Sequence, residues 1–230
     1  MRPRAPSTKT TGSSHIERHL FPLAAPAAES LVELRHGARR VLLAPHVGGS
    51  VAAFYETRGD DVIHWLRPAT REMLAAHNAL GMASFPLLPY CNRIRDARFS
   101  FEGEHVDLSR DGNTFPRALH GNVWRRSWRV GDVTEAGATL HFHHASSNEP
   151  AHHWPFAFEA TQQIALDADA LRITMTLRNL SDPRCRSAWG ITGTFGARRT
   201  PSCMRMSIPC GTARPIRCRC MSARMAASPR

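Results

Sequence analysis

At 230 residues, 42% hydrophobic and 21% charged, the chain has the composition of a globular protein rather than a disordered or fibrous one. A net charge of +11 would point to a nucleic-acid or membrane partner if it were spread evenly, but it is not. Residues 184–230 hold ten Arg and no Asp or Glu, while residues 1–183 hold the other 20 Lys+Arg against 19 Asp+Glu, so the body is near neutral and the basic signal belongs to the tail.

In chain order, residues 1–29, "MRPRAPSTKTTGSSHIERHLFPLAAPAAES" up to Glu29, read as a disordered leader rich in Pro, Ser and Thr. Its apolar run is short and broken by prolines, which argues against a signal peptide. From Leu31 the sequence becomes a series of short strands separated by turn signals. "SLVELRHG" and "RRVLLAPHVGG" break at Gly37, and "SVAAFYETRGD" and "DVIHWLRP" break at Gly59-Asp60. "TREMLAAHNAL" has helical composition and predicts one short helix. "DARFSFEGEHVDLS" predicts a hairpin turning at Glu102-Gly103-Glu104. "WRRSWRVGDV", "ATLHFHHAS", "FAFEATQQIALD" and "ALRITMTLRN" predict four more strands, the last two meeting at Asp167-Ala168-Asp169. Many short strands with scarcely a helix give an all-β class, an antiparallel sandwich or barrel. No apolar stretch approaches the roughly 20 residues needed to span a bilayer as a helix.

Cysteine usage is skewed in the same way as charge. Cys185, Cys203, Cys210, Cys218 and Cys220 lie in the tail, and only Cys91 lies upstream. A disulfide framework would staple the whole fold, so this distribution favours a cytoplasmic chain over a secreted one. The tail spacing, C-x6-C-x7-C-x-C, does not match paired zinc knuckles. His141, His143 and His144, with His152 and His153 nearby, have no carboxylate or thiolate at a supporting spacing, so no metal is expected. No glycine-rich phosphate loop, HExxH or GxSxG motif is present.

Two loop stretches stand out. "FPLLPYCNRIRDARFSFEG" places Asn92-Arg93 between a proline-rich loop and a hairpin, and "FPRALHGNVWRRSW" places His120-Gly121 between strands. Singly, each reads as an ordinary loop feature. Together they offer a forked donor, an amide and an imidazole, a set that suits the hydroxyls and ring oxygen of a sugar. Trp124, Trp128 and Trp154 could supply an apolar face for a pyranose ring, with core packing the competing role.

The blocks "PLLPYCNRIRDARFSFEGEHVDL", "LHGNVWRRSW" and "WPFAFEATQQIALDADALRITMTLRNLSD" resemble, in order, successive segments of the aldose 1-epimerase (mutarotase) family, from about Leu31 to Asp182. The resemblance implies a galactose mutarotase-like antiparallel β-sandwich, incomplete at the C-terminus, an isomerase activity on a monosaccharide, and no cofactor. It assigns sugar binding to Asn92, Arg93 and His120, with His120 also the catalytic residue. In the family a base takes the proton of the anomeric hydroxyl, an acid protonates the ring oxygen, and the opened sugar recloses on its other face. A second histidine and a Glu base come later in the family, and neither has a counterpart here.

After Pro183 the strand pattern stops, and residues 184–230 are expected to be an irregular basic tail. Read one base earlier, the codons from Arg184 to Phe195 permit "MPFGLGHHRYF", which resembles the family block that carries the second histidine. The tail is therefore expected to be an out-of-frame translation. Three functional readings stand at this point: an aldose 1-epimerase-like isomerase made inactive by the missing acid and base, a noncatalytic carbohydrate-binding module, and a nucleic-acid binder through the tail. The first is preferred, with an aldohexose, phosphorylated or not, as the partner and no specific nucleic acid or membrane.

Overall fold

The computed structural model describes residues 31–101, 103–109, 118–145 and 154–181, together with backbone segments at 190–191, 204–206 and 216–224. The expected leader and the possible histidine ligands His152 and His153 lie outside the described residues.

The first sheet is a meander of four antiparallel strands, β1 (Val32–His36), β2 (Arg39–Ala44), β3 (Ser50–Arg58) and β4 (Asp61–Leu66), in the order β1-β2-β3-β4. Its tight turns fall on Gly37 and Gly59, both at positive φ. Helix α1 (Arg71–Ala75) follows, with the Thr70 side chain accepting from the Met73 backbone N–H at 3.3 Å. The single helix expected over "TREMLAAHNAL" is divided. His77 takes a φ of 49°, which ends α1, and Asn78 then caps a separate 3₁₀ turn at Ala79–Gly81.

β5 (Pro86–Leu87) is a two-residue strand that no sequence pattern announces. The expected hairpin is formed by β6 (Arg98–Phe101) and β7 (Glu104–Asp107), with Phe101 opposite Glu104. A 3₁₀ turn at Val123–Arg125 leads to β8 (Arg129–Val133), β9 (Gly137–His144), β10 (Phe158–Leu166) and β11 (Ala170–Asn179), an antiparallel run that forms the second sheet. β10 alternates between buried and more open positions along its whole length, as expected for a half-buried strand. The β10–β11 turn is closed by Asp167, whose carboxylate accepts from the backbone N–H of Asp169 and of Ala170 at 2.8 and 2.6 Å.

Three tail segments are strands: β12 (Gly190–Ile191), β13 (Met204–Met206) and β14 (Ile216–Arg224). β12 pairs with β5, while β14 pairs with β11 and β13 pairs with β14. Against the expectation of an irregular tail, these three segments are strands, and the rest of residues 184–230 lies outside the described residues. Backbone pairing needs an open row of N–H and C=O groups rather than a particular side chain, and β11 offers such a row. The start of β14, "IRCRC", also alternates apolar with basic residues, a β period hidden by the tail's composition.

The core is the seam between the two sheets. Leu34, Val41, Leu43 and Phe54 from the first sheet share one buried cluster with Leu140, Phe158, Ile164, Leu171, Ile173 and Met175 from the second. Two sheets sharing one buried face in this way are sandwich-like. One buried polar bond crosses the seam: the Gln162 amide donates to the Gly49 carbonyl at 2.9 Å. Gly49 has a φ of +63°, and a Cβ there would come within 2.7 Å of Gln162 and 2.8 Å of Trp128. Gln162→Leu fills similar volume but leaves the Gly49 carbonyl without its donor. It is expected to lower stability by about 1–3 kcal/mol, read from the shift of the urea unfolding midpoint.

Candidate functional site

The two loops singled out in the sequence lie side by side. Arg93 and Leu119 form an isolated antiparallel bridge, and the Ile94 N–H donates to the Ala118 carbonyl at 3.2 Å. Between them, Asn92 and His120 exchange two hydrogen bonds. The His120 backbone N–H donates to the Asn92 carbonyl at 3.0 Å, and the Asn92 backbone N–H donates to His120 Nδ1 at 2.9 Å. The Asn92 side-chain carbonyl accepts from the Arg93 backbone N–H at 2.9 Å, so that oxygen serves the loop itself.

Both residues of this exchange are left-handed, with φ of 70° at Asn92 and 62° at His120. A non-glycine residue in that region costs on the order of 1 kcal/mol, somewhat less for Asn. The surroundings hold them there. Gly121 has a φ of +66°, and a Cβ on it would lie 1.8 Å from the Leu88 carbonyl oxygen, so the His-Gly pair is seated directly on the Leu88-Pro89 backbone. The Gly121 carbonyl in turn accepts from Trp124 Nε1 at 2.9 Å. Ile94, Ala97 and Ala118 tie the same loops into the main core.

The bond to Nδ1 determines the chemistry of His120. An N–H donor aimed at Nδ1 requires a lone pair there, so the proton of the neutral ring sits on Nε2. Burial of the ring, and secondly the Arg93 guanidinium beside it, hold the imidazole below its ordinary value. At neutral pH the site therefore presents a neutral Nε2–H donor next to an exposed cationic side chain. These are groups that can donate to sugar oxygens.

The other candidates fall elsewhere. Trp124, Trp128 and Trp154 are only 4%, 4% and 5% exposed, so all three are core residues and none offers an open face to a pyranose. His144 is buried, with Nε2 2.6 Å from the Trp154 carbonyl, and His141 Nδ1 lies 3.3 Å from the Thr161 hydroxyl. Among the described residues, no group of three or more His, Cys, Asp or Glu is arranged to hold a metal ion. Glu159, a carboxylate that could serve as an alternative base, is engaged by Arg178 at 2.8 Å on the exposed side of β10. No helix among the described residues is long and apolar enough to cross a membrane.

The aldose 1-epimerase family profile matches residues 30–189, a span that includes both loops. The chain belongs to the aldose 1-epimerase family. The Escherichia coli K12 protein "Uncharacterized protein YphB" is 25% identical over 150 residues, 65% of this chain and 46% of its own. Among solved structures, a candidate aldose 1-epimerase from Escherichia coli K12 superposes with a TM-score of 0.60 at 22% identity, covering 70% of this chain and 50% of the other. A galactose mutarotase-related enzyme from Lactobacillus acidophilus gives 0.57 at 16% identity, covering 75% and 51%. The Slr1438 protein of Synechocystis sp. PCC 6803 gives 0.57 at 22%, covering 75% and 56%. The chain thus spans about half the length of these relatives, and the structural likeness establishes the mutarotase-like fold.

Two outcomes are expected at this site. Gly121→Ala places a methyl against the Leu88 carbonyl in a left-handed backbone. It should destabilise the protein by about 2–4 kcal/mol and abolish the Asn92–His120 bond, as read by urea unfolding and by the Asn92 amide signal in NMR. In a proton-NMR titration, the His120 midpoint should lie below the unfolded value of about 6.5, and Arg93→Ala should raise it. The corresponding linkage has a definite sign. Below about pH 6.5 the unfolded chain binds the proton more readily, so this contribution to stability is present above that pH and fades as pH falls.

Proposed function

We propose that this protein binds an aldose, free or phosphorylated, at the Asn92-Arg93 and His120 loops in the manner of an aldose 1-epimerase, and that the chain as given does not accelerate anomer interconversion. The observation that carries this reading is the Asn92 N–H to His120 Nδ1 bond, which leaves a neutral Nε2–H donor beside Arg93. A neutral imidazole donates a hydrogen bond without surrendering its proton. Its role is then to orient and polarise a sugar oxygen, with Arg93 as the forked partner for neighbouring hydroxyls.

Ring opening requires a base for the anomeric hydroxyl and an acid for the ring oxygen. The family resemblance places both later in the chain than His120, and residues 184–230 hold no Asp or Glu. We further propose that the reading frame is displaced from about Pro183, which is supported by the abrupt change in composition and by a family match that ends at residue 189. A cytoplasmic location fits residues 1–183, which hold one cysteine, Cys91, and so no pair for a disulfide framework. Resequencing the gene across codons 180–190 tests the frame directly.

General acid and general base groups each contribute about 10²–10⁴-fold. Polarimetry on freshly dissolved α-glucose or α-galactose is therefore expected to follow the spontaneous rate in the presence of this chain. The same sugars should bind in an equilibrium titration, and Arg93→Ala should weaken that binding about tenfold or more. Rapid mutarotation by the purified chain would overturn the inactive assignment, and unchanged affinity in Arg93→Ala would overturn the site.

A further inference from the structure

Besides its bonds to residues 118–120, the loop bearing Asn92 and Arg93 is contacted at both ends by one aromatic residue from a different part of the chain, Trp154. The indole of Trp154 contacts a ring at each end of that loop: the Tyr90 ring is 5.6 Å away and the Phe99 ring 5.7 Å, centroid to centroid. Tyr90 precedes Asn92 by two residues, and Phe99 is the second residue of β6, in the hairpin that follows Arg93. Within the intervening segment Asn92, Asp96 and Ala97 all have positive φ. Several left-handed residues in one short segment persist only where the surroundings over-determine the backbone. This cluster of tilted rings contacts both ends of the segment, at separations where such rings attract.

Trp154 is itself fixed. His144, at the end of β9, is 3% exposed and its Nε2 lies 2.6 Å from the Trp154 carbonyl. A carbonyl can only accept, so Nε2 carries the proton. The His144 ring is stacked on Phe158 of β10, with centroids 5.1 Å apart. β9 and β10 thus hold His144, His144 bonds the main chain of Trp154, and the Trp154 ring contacts both flanks of the Asn92-Arg93 loop. His144 is a buried titratable group with no other evident part in the sugar chemistry.

We propose that Trp154, fixed by His144, is a positioning residue for the sugar site: its ring sets the backbone of residues 90–99 so that Asn92 reaches His120 Nδ1 and Arg93 stands beside that ring. The sugar part of this proposal rests on the function proposed above, whereas the positioning part does not. The test uses the full chain. In NMR spectra without sugar, Trp154→Leu should shift the Asn92 amide and remove the signature of a bonded Nδ1 on His120, while Trp154→Phe, which keeps a ring, should restore both. His144→Gln, which retains a donor for the Trp154 carbonyl, should behave as the parent does, and His144→Ala should behave as Trp154→Leu does. In titrations with D-galactose, Trp154→Leu should lose about tenfold or more in affinity, with recovery in Trp154→Phe.

A folded Trp154→Leu protein with unchanged Asn92 and His120 signals would overturn the proposal. Should that variant fail to fold, Phe99→Ala, which removes one half-buried ring of the same cluster, gives the same readout, and unmoved signals there would equally overturn it. Absence of galactose binding by the parent chain would count against the proposed function alone, because the NMR comparison needs no sugar.

Discussion

The apolar seam between the two sheets is the constraint on which everything else in this protein rests. Strands β9–β11 supply one wall through Leu140, Phe158, Ile164, Ile173 and Met175, and β1–β4 supply the other through Leu34, Val41, Leu43 and Phe54. Burial of apolar surface is non-directional and would tolerate sliding of one sheet over the other. The Gln162–Gly49 bond is directional, and a buried donor or acceptor that loses its partner is costly, so this contact favours one relative placement, together with the bonds from the Arg35 N–H to the Glu135 carbonyl and from Arg39 Nη1 to the Asp167 carbonyl. The loops that carry the candidate site are rooted in the same cluster through Ile94, Ala97 and Ala118. Their geometry is therefore only as definite as the seam.

The site spends some of that stability. Asn92 and His120 both occupy left-handed backbone, and Gly121 sits where no side chain fits. In return, the loops present an imidazole of known tautomer with a lowered proton affinity, next to a guanidinium. Preorganised donors of this kind need little rearrangement when a ligand arrives. A neutral ring with its proton on Nε2 can donate a hydrogen bond to a ligand oxygen and keep its proton.

The edge of the second sheet gives a different lesson. β11 has a well-patterned apolar face and pairs with β10 along its full length, with Phe158 opposite Asn179 and Leu166 opposite Leu171. Its other edge is paired by β14, in a register that shifts between Arg172 and Thr174. β10 and β9 pair without any such shift. A tail segment can thus meet the hydrogen-bonding demand of an edge while matching it less regularly than a neighbouring strand does.

Sequence alone determined the strands whose two faces differ in chemistry. β10 and β11 were legible because alternation is a local property, and the turns at Gly37, Gly59 and Asp167 because those residues favour the backbone that the turns require. The order of the "NR" and "LHG" blocks was enough to indicate the family and to single out Asn92, Arg93 and His120. Only the tertiary structure decided what those residues do to one another. Nothing in the spacing of residues 92 and 120 reveals that the amide of one meets Nδ1 of the other and thereby sets its tautomer. The part played by Trp154 was hidden for the same reason: a tryptophan in a β-rich sequence looks alike whether it lines a sugar site or supports a loop from beneath. The choice depends on contacts with Tyr90 and Phe99, more than fifty residues away in the chain, and such contacts exist only once the sheets have closed.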